Sequence, residues 1–432
     1  MLPPGPSTPG LFNLAVFAMR PLETLLGWQR RYGNVFKVNF TGFGDGVYVA
    51  EPDAIQELFT GDQSDMHAGE ANSILEPVLG PNSVLVLDGP EHLRQRRLLL
   101  PPFQGARINT FREVIRDATE REVAGWAPGA ELVMRERMRA LTFDVICRAV
   151  FGVTEPVRVE RLREALVQVI DSSNIYMVSS ALRKDLGPWS PGGRLARRLR
   201  NADALLYEEI ALRRREPDLE ERTDVLSLLL CARDEEGRAM TDAELRDELF
   251  TMLGAGHETT ATALSFAFEL LLRTPGAYAR LRDEIEAGND AYVDAVERTL
   301  VSPRRVAGYD LPKGMKIYPA IALTHLREDL YPQAHEFRPE RFLEGATSYT
   351  WLPFGGGIRR CIGAALAQTE IAEALKVIVP RVDLQPLRDK PDPVILRGVT
   401  LAPRYGVHVR VLRSAQPAKS GGEMRLTPSA SA

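Results

Sequence analysis

Apolar and polar positions alternate twice between residues 33 and 50, "GNVFKVNFTGFGDGVYVA", on either side of a glycine-rich turn. That period of two predicts a β-hairpin. The next stretch, "EPDAIQELFT", fits a short helix. From about residue 105 to 300 the period becomes helical, with recurring Leu, Ala and Arg, broken at "GPWSPGG" (187–193) and "REPDLEERTD" (215–224). The longest helical signal is "MTDAELRDELFTMLGAGHETTATALSFAFELLLRTPG". Thr241 and Glu244 form a capping box at its start and Pro275 marks its end, which predicts a helix about 50 Å long. Its middle, "AGHETT", interrupts the apolar pattern; Gly256 and back-bonding threonines read either as a local widening or as a small-residue packing site between helices. A second strand region, "RRVAGYDLPKGMKIYP", turns at Pro312 and Gly314, and "IGAALAQTEIAEALKVIV" predicts an amphipathic helix up to Pro380. The tail from Ser414 is rich in Ser, Ala, Pro and Gly and predicts disorder. The pattern as a whole is mainly helical with a minor β region, without internal repeat or interdomain linker.

Composition narrows the function classes. The 432 residues are 44% hydrophobic and carry a net charge of −4, enough apolar content for a large core and the wrong charge for nucleic acid as main partner. Three separated cysteines, Cys147, Cys231 and Cys361, form neither a disulfide framework nor a zinc motif, which fits a reducing, cytoplasmic setting. The opening "MLPPGPSTPG" lacks the charge and apolar run of a signal peptide and predicts an extended arm. The apolar stretch 249–272 holds His257, Glu258 and Glu269 and reads as a buried helix, so no membrane anchor is expected.

The candidate chemistry lies in "FGGGIRRCIG", residues 354–363. Cys361 follows Arg359 and Arg360 and directly precedes a helix, whose N-terminus adds positive potential and free N–H groups. Gly355, Gly356 and Gly357 can take positive φ and turn amides toward the sulfur, and Gly363 removes a side chain where a flat group could lie. A thiolate is thus offered to a bulky planar partner, with an arginine for that partner's acidic groups. The alternative is an inert cysteine beside a glycine turn.

The spacing Phe354, Gly357, Arg359, Cys361 and Gly363 resembles the F-x-x-G-x-R-x-C-x-G loop of the cytochromes P450, and the resemblance extends over roughly residues 1–413. It implies the P450 fold, haem b as cofactor and Cys361 as proximal iron ligand, whose thiolate favours O–O cleavage. It also implies that Arg359 binds a haem propionate and that Phe354 packs near the loop. Ala255, Gly256, Glu258 and Thr259 are similar to the family's [AG]-G-x-[DE]-T motif, in which Glu258 and Thr259 would organise the water chain that carries protons to dioxygen. His92 and Arg96 match its H-x-x-x-R helix and would hold propionates, as would Arg298 on a strand. Arg94 and Arg97 would either contribute to a basic docking face for an acidic electron carrier or form a merely solvated surface.

One family motif is missing. A Glu-x-x-Arg helix should precede Arg298, yet Glu297 is followed at the third position by Leu300. The spacing occurs at Glu136/Arg139 and Glu160/Arg163, too early in the chain. A block of roughly fifteen residues, about one helix and a connection, is absent near 296–297. Arg341 of "FRPERF" (337–342) would then lose both partners, at a cost of about 3–5 kcal/mol if it stays buried. Two functions follow: a haem-thiolate monooxygenase taking electrons from a ferredoxin and its reductase, or a degenerate, non-catalytic haem-binding protein. A cysteine hydrolase lacks a His/Asp partner pattern. Segments 66–86 and 165–200, with Met66, Ile74, Leu75 and the apolar run 175–178, would cover the pocket and suggest an apolar organic substrate.

Overall fold

The computed structural model describes residues 1–61, 66–178, 184–287, 298–300, 304–342, 349–397 and 400–414; for 173–178, 284, 286–287 and 298–300 it describes the backbone alone. The expected junction near 296–297, with Glu297, and the tail 415–432 lie outside these residues.

The chain opens with an arm that adds to the first sheet, where Pro4 O accepts from the Lys37 N–H at 2.8 Å. Helices α1 (Gly10–Met19) and α2 (Pro21–Tyr32) follow. The expected hairpin is β1 (Val35–Phe40) with β2 (Gly44–Val49), antiparallel, and the expected short helix is α3 (Pro52–Thr60). After β3 (Met66–His67) come the single turns α4 (Ala68–Ala71) and α5 (Glu76–Leu79). The helical body then comprises α6 (Gly89–Leu99), α7 (Arg107–Ala124), α8 (Met134–Ala149) after β4 (Glu131–Val133), α9 (Pro156–Val178), α10 (Pro191–Arg213) and α11 (Val225–Cys231). It continues with α12 (Asp242–Arg273) and α13 (Ala277–Ala287). Strands β5 (Arg298–Leu300), β6 (Arg304–Val306), β7 (Tyr309–Leu311) and β8 (Lys316–Pro319) lead to α14 (Ile321–His325), α15 (Ala364–Arg381) and β9 (Val382–Pro386). The last strands are β10 (Val394–Arg397), β11 (Thr400–Pro403) and β12 (His408–Ser414).

The main sheet has the order β1-β2-β8-β5-β3, with β2 and β8 parallel; β4-β12-β9 and the hairpins β6-β7 and β10-β11 are separate. Two small apolar clusters sit on the main sheet, while the large core, with Ile115, Phe143, Phe250 and Phe268, lies among α7, α8, α12 and α15.

Helix α12 runs through this core. Thr241 Oγ1 accepts from the Glu244 N–H at 3.2 Å, and Glu244 Oε2 accepts from the Thr241 N–H at 2.7 Å, so the capping box forms as read. Of the two readings of its middle, the widening does not occur: α12 is unbroken over 32 residues. Gly256 serves packing, because a Cβ there would stand 2.9 Å from Ile146 Cδ1 of α8. Pro380 likewise falls inside the last turn of α15 rather than ending it. No helix among the described residues is long and apolar enough to cross a membrane.

Candidate active site at the Cys361 loop

The loop before α15 depends on two glycines. Gly355 has φ +66° and Gly357 φ +61°, whereas Gly356 is extended at −152°. A Cβ on Gly357 would lie 2.0 Å from Phe59 O at the end of α3, so both backbone conformation and close approach require glycine. The turn is closed by the Gly355 N–H on Leu352 O and the Cys361 N–H on Phe354 O, each at 3.0 Å. Phe354 is buried beneath it. Cys361 emerges exposed, three residues before α15, and a Cβ on Gly363 would meet nothing within 4 Å. Cys147, by contrast, is buried and its thiol pKa is pushed up by desolvation; Cys231 ends α11 at the surface.

Arginines surround this loop. Arg359 donates through Nη1 to Val84 O at 3.1 Å, and through Nη2 to Leu87 O at 2.6 Å and to the Asp88 carboxylate. Burial lowers its pKa to about 10. Asp88 also accepts from the Gly69 and Glu70 N–H groups at 2.9 and 2.8 Å. On α6, His92 is buried and Arg96 Nη2 reaches Arg360 O at 2.6 Å. Burial lowers the Arg96 pKa, and a charge on Cys361 opposes that shift. Arg94 and Arg97 offer no free charge for a docking face, which leaves the reading of an ordinary solvated surface. Arg94 pairs with Asp234 at 2.6 Å and Glu244 at 2.5 Å, and Arg97 with Glu235 at 2.5 Å, so acidic partners neutralise both.

The middle of α12 has an unusual exposure pattern. Between Leu245 and Glu269 only Ala255 and Thr259, one turn apart on one face, are exposed. Thr259 Oγ1 donates to Ala255 O. Glu258 points elsewhere: Arg135 of α8 donates to Oε1, and Arg139 Nε lies 2.9 Å from Oε2. Arg139 Nη2 also donates to Asp171 of α9 at 2.9 Å. His257 is buried, with Nδ1 at 2.9 Å from Thr142 Oγ1; burial and then the two arginines pull its pKa to about 3. Arg135 and Arg139 were not among the residues read from sequence as site groups. The one signal was the Glu136/Arg139 spacing, and of that pair it is Arg139 that reaches α12, at Glu258.

Arg341 is not left unpaired, which corrects a second expectation. Its Nε donates to Arg338 O at 3.1 Å, Nη1 to Pro332 O at 3.0 Å, and Nη2 to Gln333 O at 2.9 Å and Glu336 O at 3.2 Å. Four backbone carbonyls replace the carboxylate, and the half-exposed guanidinium closes its own turn. Arg298 lies in β5 opposite Ile317 of β8; its side chain is outside the description. Met66 is buried and Leu75 half-buried, while the side chains of 175–178 lie outside the described residues. His325 is occupied as acceptor of the Leu352 N–H at 2.9 Å, and no group of three metal-ligating residue types occurs among the described residues.

A single exposed thiol at a helix start, open space over Gly363 and an exposed small-residue face on α12, which packs on α15, fit a haem. The comparisons agree. The family description "Cytochrome P450" matches residues 3–288 and 291–409. A "Putative cytochrome P450 135B1" of Mycobacterium tuberculosis is 40% identical over 433 residues, covering 95% of this chain and 91% of its own length. A "Putative cytochrome P450 135A1" of the same species is 37% identical, with 95% of each chain covered. Among solved structures, "Retinoic acid bound cyanobacterial CYP120A1" superposes with a TM-score of 0.80 at 23% identity, over 95% of this chain and 99% of that one. The cytochrome P450DA haem domain gives 0.83 at 22%, over 96% and 98%. The chain belongs to the cytochrome P450 family.

Proposed function

We propose that this chain is a monooxygenase that places one oxygen atom of dioxygen into an apolar organic substrate, with Cys361 as the residue that would hold the iron of haem b and a ferredoxin with its reductase as electron source. The observation that carries the reading is the exposed Cys361 sulfur, presented by a turn that only glycine can make at 357. The haem, when bound, supplies the oxygen-activating chemistry, and a thiolate ligand favours O–O cleavage.

The chain's own groups have definable tasks. The helix N-terminus of α15 and Arg96 favour the thiolate over the thiol. Arg359 uses three of its five N–H groups on Val84, Leu87 and Asp88, which leaves two for a propionate. Arg96 spends one on Arg360, and His92 and Arg298 complete the set. The Thr259 hydroxyl gives its proton to Ala255 O, so its lone pairs accept from a water in the cleft. Glu258 must loosen its pair with Arg139 to take a proton toward Thr259, and Asp171 already holds the other edge of that guanidinium.

The test is the carbon monoxide difference spectrum of the reduced protein. A thiolate-type band is expected and should vanish in Cys361→Ser; an unchanged band in that variant would overturn the assignment. A second reading, a non-catalytic haem-binding member, is favoured by the absent Glu-x-x-Arg motif. Substrate turnover with ferredoxin and reductase separates the two, and restoring a Glu-x-x-Arg helix should raise turnover only if the second reading is right.

A further inference from the structure

Helix α1 packs Leu14 and Phe17, half-buried, on the first sheet and leaves a wide apolar face outside. Its one buried residue is its one polar residue, Asn13, whose Nδ2 donates to Thr8 O at 3.2 Å and Asn39 O at 3.1 Å. Leu11, Phe12 and Met19 are 67%, 56% and 62% exposed. With Ala15 and Ala18 they form a stripe about 120° wide at ~100° per residue, opposite Asn13. Residues 2–19 hold no charged side chain. The first charge is the exposed Arg20, and α2 carries exposed Arg30 and Arg31 against Glu23 alone. None of these three arginines makes an ion pair among the described residues.

An exposed apolar stripe, with exposed arginines directly after it and on the next helix, fits a bilayer interface, where the acyl boundary takes the stripe and lipid phosphates take the guanidiniums. A protein partner suits it less. Protein interfaces carry about one hydrogen bond per 100–200 Å², and from Gly10 to Met19 the only hydrogen-bonding side chain is Asn13, turned inward. We propose that α1 docks this protein peripherally on an anionic lipid surface, with Leu11, Phe12 and Met19 in the acyl–headgroup boundary and Arg20, Arg30 and Arg31 at the phosphates. The proposal stands independently of haem binding.

The test is sedimentation of the full chain with vesicles of phosphatidylglycerol and phosphatidylcholine in equal parts, against phosphatidylcholine alone. Partition should be at least about tenfold stronger on the anionic vesicles at low salt and should fall as salt rises. The Leu11→Glu/Phe12→Glu variant should lose at least about tenfold on both. The Arg20→Gln/Arg30→Gln/Arg31→Gln variant should lose mainly the anionic preference, with thermal unfolding unchanged. Phe12→Trp gives a second readout should the glutamate variant misfold: its added fluorescence should be quenched by brominated lipid. Equal sedimentation of parent and variants, or no quenching at position 12, would overturn the proposal. So would a concentration-dependent dimer that Leu11→Glu/Phe12→Glu abolishes, since a second copy would then own the face.

Discussion

Glu258 and Glu370 sit on α12 and α15, two helices packed against each other, and their surroundings are opposite. Glu258 meets two guanidiniums from α8. Glu370 is 2% exposed, its Oε1 has no hydrogen-bond partner, and desolvation alone pushes its pKa to about 8. One carboxylate is held as half of an ion-pair cluster, and the other is kept as a neutral acid within a packing face. Residue type therefore says little about role here; the charges that reach each site across the fold decide it.

The contrast can be broken most severely at Glu258. Glu258→Ala would leave Arg135, 6% exposed, without its partner and should cost about 3–5 kcal/mol in chemical denaturation; a loss under about 1 kcal/mol would mean the cluster is not a structural unit. Next is Glu370→Gln. The folded carboxyl holds its proton up to about 8 against an ordinary 4.5. The parent's stability should therefore be fullest below 4.5, decline as pH rises to about 8, and level off above. The glutamine variant should escape that decline, gaining up to about 5 kcal/mol at pH 9 and nothing at pH 4, read from melts across pH. A smaller effect is expected from Arg139→Gln, which leaves Arg135 on Glu258 and should cost about 1.5 kcal/mol. Smallest is Asp171→Asn: its carboxylate is 43% exposed, and the loss should stay below about 0.5 kcal/mol and shrink in salt.

What the sequence made legible was local. The capping box at Thr241, the hairpin at 35–49 and the glycine turn at Cys361 are each set by residues a few positions apart, so spacing alone carries them. The Glu258 clasp joins positions 123 residues apart, and no periodicity reports such a pair. Arg94 looked like free surface charge because Asp234 and Glu244 reach it from a distant turn and helix. Arg341 looked orphaned because its replacement partners are backbone carbonyls, which every residue has and no motif marks. Gly256 read as either a weak point or a packing site because Ile146, which decides for packing, lies on another helix.

The backbone of Val84 is fastened on both sides of its Cα. Its N–H donates to Glu248 Oε1 of α12 at 2.8 Å, and its carbonyl accepts from Arg359 at 3.1 Å. Asn82 is anchored beside it on Asp247, and Ser83 on Thr251. Whatever lifts the 82–88 strap away from the long helix must also slacken the arginine two positions before the sulfur. A displacement of the strap would thus be felt at the Cys361 turn, with one residue as the lever.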